Sequence, residues 1–196
     1  ITTHDLLNQQ GVVSSIGTVG ITATGQLDNT SGKVIGDSGL TLTVQRLLNQ
    51  SKGLLAGRDG VVLRGAELLN SDAGRVSSLA SVDIELSGTL DNSVGGELVS
   101  EGRLSLSAAQ LDNHNKGLVS AIDTLNVVSH GALNNQGGTL VTDAALSIRS
   151  ANLDNRHGGA ISAVGALELR SGGLDNRDKG RIGSDTGITL HGAQLY

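Results

Sequence analysis

The fold is decided by the stretch Leu90-Asp91-Asn92-Ser93-Val94-Gly95-Gly96-Glu97-Leu98-Val99-Ser100, followed closely by Leu104-Ser105-Leu106. It contains a Leu two residues before an Asn, a Gly four residues after that Asn, and an aliphatic residue two places beyond the Gly. The same pattern returns about every 21 residues along the 196-residue chain. Self-similarity at a fixed period of this length is typical of repeat architectures.

Two residue types mark each repeat. An Asn recurs at intervals of 20 to 22 residues, and we call this set the asparagine column: Asn8, Asn29, Asn49, Asn70, Asn92, Asn113, Asn135, Asn155 and Asn176. A Gly follows each of them after three or four residues, and this set is the glycine column: Gly11, Gly32, Gly53, Gly74, Gly96, Gly117, Gly138, Gly159 and Gly180. The spacing of the glycine column varies less than that of the asparagine column. The variation in repeat length therefore lies in the short segment between the column Asn and the column Gly.

Positions counted from the column Gly indicate strands. The second, eighth and tenth residues after it are aliphatic in every repeat, as at Leu98, Leu104 and Leu106, and the fourth is always small. Apolar residues two apart predict a strand, because side chains alternate between faces. No segment keeps helical spacing. The sequence therefore predicts an all-β chain with three short strands per repeat, separated by Gly, Ser, Asp and Asn turns.

A strand with two or three inward residues cannot bury them alone. Coiling the chain solves this problem, since equivalent strands then pair in parallel about 4.7–4.9 Å apart. We predict a right-handed parallel β-helix (solenoid) of about nine 21-residue coils, with the hand taken from the preference for right-handed crossovers. Residues 1–196 are expected to form a single β-helical segment, and a first residue Ile without any Met indicates a piece of a longer chain.

The composition restricts the function. The chain has no Pro, Cys, Met, Trp or Phe and a single aromatic residue, Tyr196, yet 37% of its residues are hydrophobic. The core is therefore expected to be purely aliphatic. The net charge is -5 and the Lys and Arg residues are scattered. This argues against nucleic acid as a partner, because phosphate neutralisation requires clustered cations and base stacking requires aromatic rings.

The polar columns are predicted to be structural. By alternation each column Asn points the same way as the Leu two residues earlier, so its amide is placed to bond turn backbone and the amides above and below. An Asn-lined ligand site is the alternative. An Asp often precedes the Asn, as at Asp28, Asp91, Asp112, Asp154 and Asp175. We interpret it as a solvated turn residue, and the alternatives are a calcium site or paired catalytic carboxylates.

No pattern in the sequence predicts catalysis, a cofactor or a metal. His114 and His157 fall at corners two coils apart, about 10 Å by the coil spacing, which is too far for one metal ion with ligands at about 2.0–2.1 Å. The abundant Ser residues occupy small wall and turn positions without a nucleophile elbow. No phosphate loop or dinucleotide fingerprint occurs. The chain is therefore predicted not to be an enzyme.

The pattern Leu-Asp-Asn, Gly-x-Leu-Val-Ser and Leu-x-Leu resembles the haemagglutinin repeats of filamentous-haemagglutinin-like exoproteins, and residues 90–100 are the clearest copy. The resemblance covers essentially the whole chain. It implies a filament exported across a Gram-negative outer membrane by a two-partner transporter. Members include adhesins and the stick-like toxins of contact-dependent growth inhibition, in which the repeats form a stalk while receptor binding and toxicity belong to other segments.

The resulting hypothesis is a structural stalk of a secreted or cell-surface bacterial adhesin or inhibition toxin. A carbohydrate-active β-helix enzyme is one alternative, weakened by short turns and absent aromatic residues. A leucine-rich repeat binding module is another, but its helical segment is missing. Direct glycan binding by the wall of the rod is the third. We also expect the open strand edges at both ends to favour end-to-end self-association.

Overall fold

The computed structural model describes residues 1–196 and contains strands, turns and bends but no helix. Every strand pairs in parallel with its equivalent in the neighbouring coil. Nine strands of four residues form what we call the short sheet. They are Val12–Ser15, Lys33–Gly36, Leu54–Gly57, Arg75–Ser78, Glu97–Ser100, Leu118–Ala121, Thr139–Thr142, Ala160–Ala163 and Arg181–Ser184. The structure contains no helix long and apolar enough to cross a membrane.

The long sheet has 14 strands. They are Thr2–Thr3, Leu6–Leu7, Thr18–Asp28, Gly39–Leu48, Val61–Leu69, Val82–Leu86, Thr89–Asp91, Leu104–Ala108, Gln110–Asp112, Leu125–Ser129, Ala132–Asn134, Leu146–Asp154, Leu167–Asp175 and Ile188–Leu195. The predicted division into three strands per coil therefore holds in three central coils. In most of the others the two predicted strands run on as one, and the ladder skips only the bend between them, as at Ala151 and Gly172.

Each coil follows the same path. A first corner, the residues between the column Asn and the column Gly, leads into the short-sheet strand. A second corner, the fifth and sixth residues after the column Gly, leads into the long sheet. Equivalent residues lie in register, so that Leu98 pairs with Val76 in the coil before and Val119 in the coil after. The predicted parallel solenoid of about nine 21-residue coils is thus the observed fold.

The core is a continuous aliphatic stack of 37 buried residues. The predicted inward positions supply most of it, with Leu98, Leu104 and Leu90 at 0% exposure. A further inward position, the twelfth after the column Gly, was not predicted. It carries Val44, Leu86, Ala108, Ser129 and Ser150 among others, all buried. No single residue type is kept at this position throughout the chain, so the sequence pattern did not reveal it.

The terminal coils are the least buried. Ile188 and Leu190, at predicted inward positions of the last coil, are 44% and 39% exposed, and Leu195 is 53% exposed. Val13 and Ile182 are only partly buried against the core. Burial in a solenoid requires a neighbouring coil on each side, and these coils have one on a single side.

Candidate functional site

The asparagine column forms a continuous chain of side-chain hydrogen bonds inside the rod. The Nδ2 of Asn92 donates to Oδ1 of Asn113 at 2.8 Å and also to the carbonyl of Leu118 at 3.0 Å. Eight such amide–amide bonds of 2.7–2.8 Å connect the nine residues from Asn8 to Asn176. The donor always lies in the earlier coil and the acceptor in the next, so all the amides point the same way along the rod.

Every buried polar atom of these amides has a hydrogen-bond partner inside the rod. Many of the Nδ2 groups also donate to the carbonyl of the column Gly in their own coil, as Asn70 does to Gly74 at 3.0 Å. The seven asparagines between Asn29 and Asn155 have 0% exposure. No buried side-chain nitrogen or oxygen lacks a hydrogen-bond partner. A ligand entering this column would therefore have to break existing bonds, which argues against an Asn-lined ligand site.

The column glycines lie against the Asn side chains, at positions where a Cβ would have no room. A Cβ added to Gly96 would lie 2.4 Å from the backbone carbonyl oxygen of Asn70 in the preceding coil and 2.7 Å from Oδ1 of Asn92. At all nine column glycines the added Cβ would lie less than 3.0 Å from the Oδ1 of the preceding Asn. None of these glycines has a positive φ. They are thus required by the close approach of the amide and of a backbone carbonyl from the preceding coil, and not by a left-handed backbone.

The first corner absorbs the variation in the period by its backbone conformation. Corners in which the Gly follows the Asn by three residues contain one left-handed residue, such as Gln10 at φ 57°. Corners with a four-residue step contain two in succession, such as Asp72 and Ala73 at φ 55° and 59°. Val94, at φ 52°, is the β-branched residue in this set, and β-branched residues are disfavoured there.

The Asp residues before the asparagine column form Asx turns, in agreement with their interpretation as turn residues. Oδ1 of Asp91 accepts a hydrogen bond from the backbone N–H of Ser93 at 2.9 Å. The same bond, from the residue two positions later, occurs at Asp28, Asp112, Asp154 and Asp175. One oxygen of each carboxylate is therefore engaged in shaping the first corner.

Two arginines at the first corner alter the acidity of neighbouring carboxyls. Nη2 of Arg177 lies 2.6 Å from Oδ2 of Asp175. Hydrogen bonding from this guanidinium lowers the pKa of Asp175 from 3.8 to about 2. Arg156 lies 2.7 Å from Asp154 and 3.6 Å from Asp175, and its hydrogen bond lowers the pKa of Asp154. Both aspartates remain ionised well below neutral pH and have no general-acid character there.

Hydroxyl groups shape the second corner, a role that was not predicted from the sequence. The small fourth residue after the column Gly is often Ser or Thr, and its oxygen accepts the backbone N–H two residues later. Ser100 does this with Gly102 at 3.2 Å and Ser78 with Ala80 at 3.0 Å. The recurrence of Ser or Thr at Ser15, Ser78, Ser100, Thr142 and Ser184 was the available signal.

The histidines remain isolated from any cluster of ligands. Nδ1 of His114 lies 2.6 Å from Oδ1 of Asp112, and Nε2 of His157 lies 3.8 Å from Oδ2 of Asp178. No group of three or more His, Cys, Asp or Glu side chains is placed to hold a metal ion. A surface depression of about 590 Å³ lies open on the outer wall of the long sheet beside Asn126, Ser147 and Thr189.

Comparison with known proteins gives one result. A family model described as haemagglutinin repeat matches residues 1–31, 15–94 and 73–195, which together span nearly the whole chain. This family is a structural repeat of secreted or cell-surface bacterial proteins. No curated protein and no solved structure gives a significant match to the chain.

Proposed function

Because the chain belongs to the haemagglutinin repeat family, we propose that it is a structural stalk segment of a larger bacterial exoprotein. Residues 1–196 act as a single rod-like unit that holds binding or toxic regions at a distance from the cell. One observation carries this proposal: an unbroken column of eight amide bonds runs from Asn8 to Asn176. A rod tied together along its whole length resists bending better than a chain of separate domains.

The asparagine and glycine columns have a structural role in this proposal. The amides connect each coil to the next, and the glycines make room for them. Repeated buried polar groups that are fully paired also fix the register between coils, because a slip would leave amides unpaired. The proposal therefore assigns no residue of either column to a ligand.

The surrounding biology follows from the family. We propose export across the outer membrane of a Gram-negative bacterium by a two-partner transporter, with the mature protein secreted or held at the cell surface. The exoprotein is an adhesin or a contact-dependent growth inhibition toxin, and other regions of it contact the host or neighbouring cell. The family's association with two-partner secretion supports the transporter.

The test is replacement of this segment within the full exoprotein. Exchange for an unrelated β-helix of equal length should preserve adhesion or growth inhibition, because the stalk contributes only its length. Removal of three whole coils should reduce activity without altering secretion. Loss of activity on exchange, with secretion and length preserved, would contradict the stalk proposal and indicate recognition by this wall.

Two other activities have direct assays on the isolated segment. The surface depression beside Asn126 and Ser147 gives direct glycan binding a physical location, and a glycan array with an Asn126→Ala variant tests it. Cleavage of polysaccharide by the segment would support a carbohydrate-active enzyme. The stalk proposal expects neither signal.

We also propose end-to-end association of the isolated segment. The strand Ile188–Leu195 pairs on one side only, with Leu167–Asp175, and its apolar side chains Leu190 and Leu195 are half-exposed. Unpaired strand edges of this kind template further pairing. Sedimentation velocity should show an open series of oligomers that grows with concentration. A monomer at every concentration would contradict this proposal.

A further inference from the structure

Three basic side chains form a row on the outer wall of the long sheet, in the last three coils. Arg149 pairs in register with Arg170, and Arg170 pairs in register with His191. All three occupy the eleventh position after the column Gly and are exposed. Equivalent residues in neighbouring strands lie about 4.7–4.9 Å apart, so the three side chains are close neighbours. We call them the basic row.

The basic row places like charges against one another, which the same position avoids earlier in the chain. Like charges directly opposite one another in adjacent strands are destabilising. In the third and fourth coils the eleventh position carries Arg64 and Glu85, and Nε of Arg64 lies 3.1 Å from Oε2 of Glu85. The seventh and eighth coils carry two arginines there instead. Sequences break local rules of this kind mainly at functional sites, so the row requires an explanation beyond the fold.

One carboxylate lies beside the row, and it is engaged with one arginine. Oε1 of Glu168 lies 2.6 Å from Nη2 of Arg170 and accepts a hydrogen bond from its Nε at 2.8 Å. The residue paired with Arg149 in the preceding coil is the uncharged Val128. The other residues next to the row, at the ninth and thirteenth positions of these coils, are also uncharged: Ser147, Thr189, Ala151, Gly172 and Ala193. No side chain forms an ion pair or a hydrogen bond with Arg149 or His191, so their N–H groups face solvent.

A recess borders the basic row on each side. The bend that follows the row in the chain consists of small residues, and an open depression of about 340 Å³ is lined there by the row together with Ser150, Ser171, Gly172 and Gly192. On the other side lies the depression of about 590 Å³ beside Asn126, which Arg170 and His191 also line. The side chains of Asn126, Ser147 and Thr189 form no hydrogen bond within the chain. Donors that the fold does not use thus line both recesses.

We propose that the basic row binds a phosphate ester. A phosphate group carries three strong acceptor oxygens, and a planar guanidinium presents pairs of N–H donors that match two of them. The spacing of the row lets one phosphate lie between the guanidiniums of Arg149 and Arg170, with the imidazole of His191 beside it. The unused hydroxyls of Ser147 and Thr189 suit the hydroxyl groups of the sugar or glycerol that carries the phosphate. This binding is a property of the wall and goes beyond the stalk role.

Titration of the chain with glycerol phosphate tests the site, with glycerol as the matched uncharged control. In NMR spectra of the isotope-labelled chain, the side-chain Nε–Hε signals of Arg149 and Arg170 should shift on addition of glycerol phosphate and stay in place with glycerol. Arg149→Gln should weaken binding about tenfold or more, because it removes charge-assisted hydrogen bonds. Arg103→Gln, at an exposed arginine outside the row that forms no ion pair, should leave the affinity unchanged.

A change at Glu168 separates a binding site from a structural cluster. Glu168→Gln should tighten the binding of glycerol phosphate several-fold, because it frees Arg170 and removes a carboxylate that repels the phosphate. Arg149→Gln should not lower the melting temperature, since it relieves the repulsion between neighbouring guanidiniums. A purely structural row would give the opposite result in both measurements: a lower melting temperature for Arg149→Gln and no gain in affinity for Glu168→Gln.

Vesicles distinguish the two sources of the phosphate. Co-sedimentation compares vesicles that contain phosphatidic acid with vesicles of phosphatidylcholine alone. Retention on the phosphatidic acid vesicles, lost in Arg149→Gln, would assign the row to a lipid headgroup. Binding of glycerol phosphate without retention on vesicles would assign it to a soluble phosphorylated sugar or polyol. Either result supports the site.

Three outcomes would overturn the proposal. Neither glycerol phosphate nor the phosphatidic acid vesicles bind, or Arg149→Gln leaves their binding unchanged, or Arg103→Gln weakens binding as much as Arg149→Gln does. The last result would indicate a general attraction between charges and not a site. Each of these failures leaves the stalk proposal as it stands, because the length of the rod does not depend on what its outer wall binds.

Discussion

At the scale of single residues, the column Asn and the column Gly depend on one another. Asn92 accepts from Asn70 and donates to Asn113, with distances of 2.7 and 2.8 Å. A side chain at Gly96 would press on this amide and on the backbone carbonyl of Asn70. The sequence pattern predicted the two columns and the buried direction of the amides. It did not reveal why the glycine is required. The reason is the lack of room for a side chain, and not a left-handed backbone.

Replacement of the amide tests this dependence. Asn92→Ala leaves the Nδ2 of Asn70 without its acceptor and the Oδ1 of Asn113 without its donor, so we expect a loss of about 1–3 kcal/mol in the free energy of unfolding. Urea denaturation measures it. The matched control is Asn126→Ala on the outer wall, where the side chain is exposed and the change should be close to zero. Equal effects at both sites would contradict the structural role.

Filling the space of the glycine should be as harmful as removing the amide. Gly96→Ala places a Cβ 2.4 Å from the backbone carbonyl oxygen of Asn70 and 2.7 Å from Oδ1 of Asn92, and overpacking of this kind costs about 1–3 kcal/mol. Gly20→Ala is the control, because nothing lies within 4 Å of its added Cβ. Thermal unfolding should show a clear loss for the first and little change for the second; the reverse order would refute the steric explanation.

The carboxyl of Asp175 should titrate unusually low. Its pKa is lowered to about 2 in the folded chain, so the stabilisation it provides is complete above its ordinary pKa of 3.8 and is lost as the pH falls through about 2. NMR titration of its side-chain carboxyl carbon measures this. Arg177→Gln should raise the pKa of Asp175 toward the ordinary value, whereas Arg103→Gln should not move it.

At the scale of the element, the regular strands were predictable and the corners were not. Alternating residues such as Leu104 and Leu106 predicted the inward face of the long sheet, because the period of two is a direct consequence of strand geometry. The continuation of strands through the bend, as in Leu146–Asp154, depends on local hydrogen bonds that leave no repeated residue type. The twelfth position after the column Gly carries different residues in different coils, from Ser129 to Leu86. The sequence therefore did not predict that this position points inward.

The first corner contains a residue that is poorly suited to its backbone. Val94 has φ 52° and is 46% exposed. The equivalent position in another coil carries Asn115 at the same φ. Since Asn tolerates the left-handed conformation, Val94→Asn should stabilise the fold by about 1 kcal/mol. The control Val99→Asn lies on a strand and should destabilise it. Chemical denaturation that ranks the two variants the other way would contradict the corner analysis.

At the scale of the whole molecule, stability and shape come from repetition. Each coil contacts its two neighbours alone, so the rod behaves as a stack of nearest-neighbour interfaces. The sequence was sufficient for the class of fold, because one pattern recurs in every coil.

The central claim is that each repeat of about 21 residues is one coil that adds a fixed length to a rod. Spin labels at Arg58→Cys and Val164→Cys occupy the same second-corner position five coils apart, about 24 Å by the coil spacing. Duplication of residues 96–116 inserts one whole coil between them. Electron paramagnetic resonance should show a narrow distance that increases by about 5 Å, to about 29 Å. An unchanged or broad distribution would contradict the account.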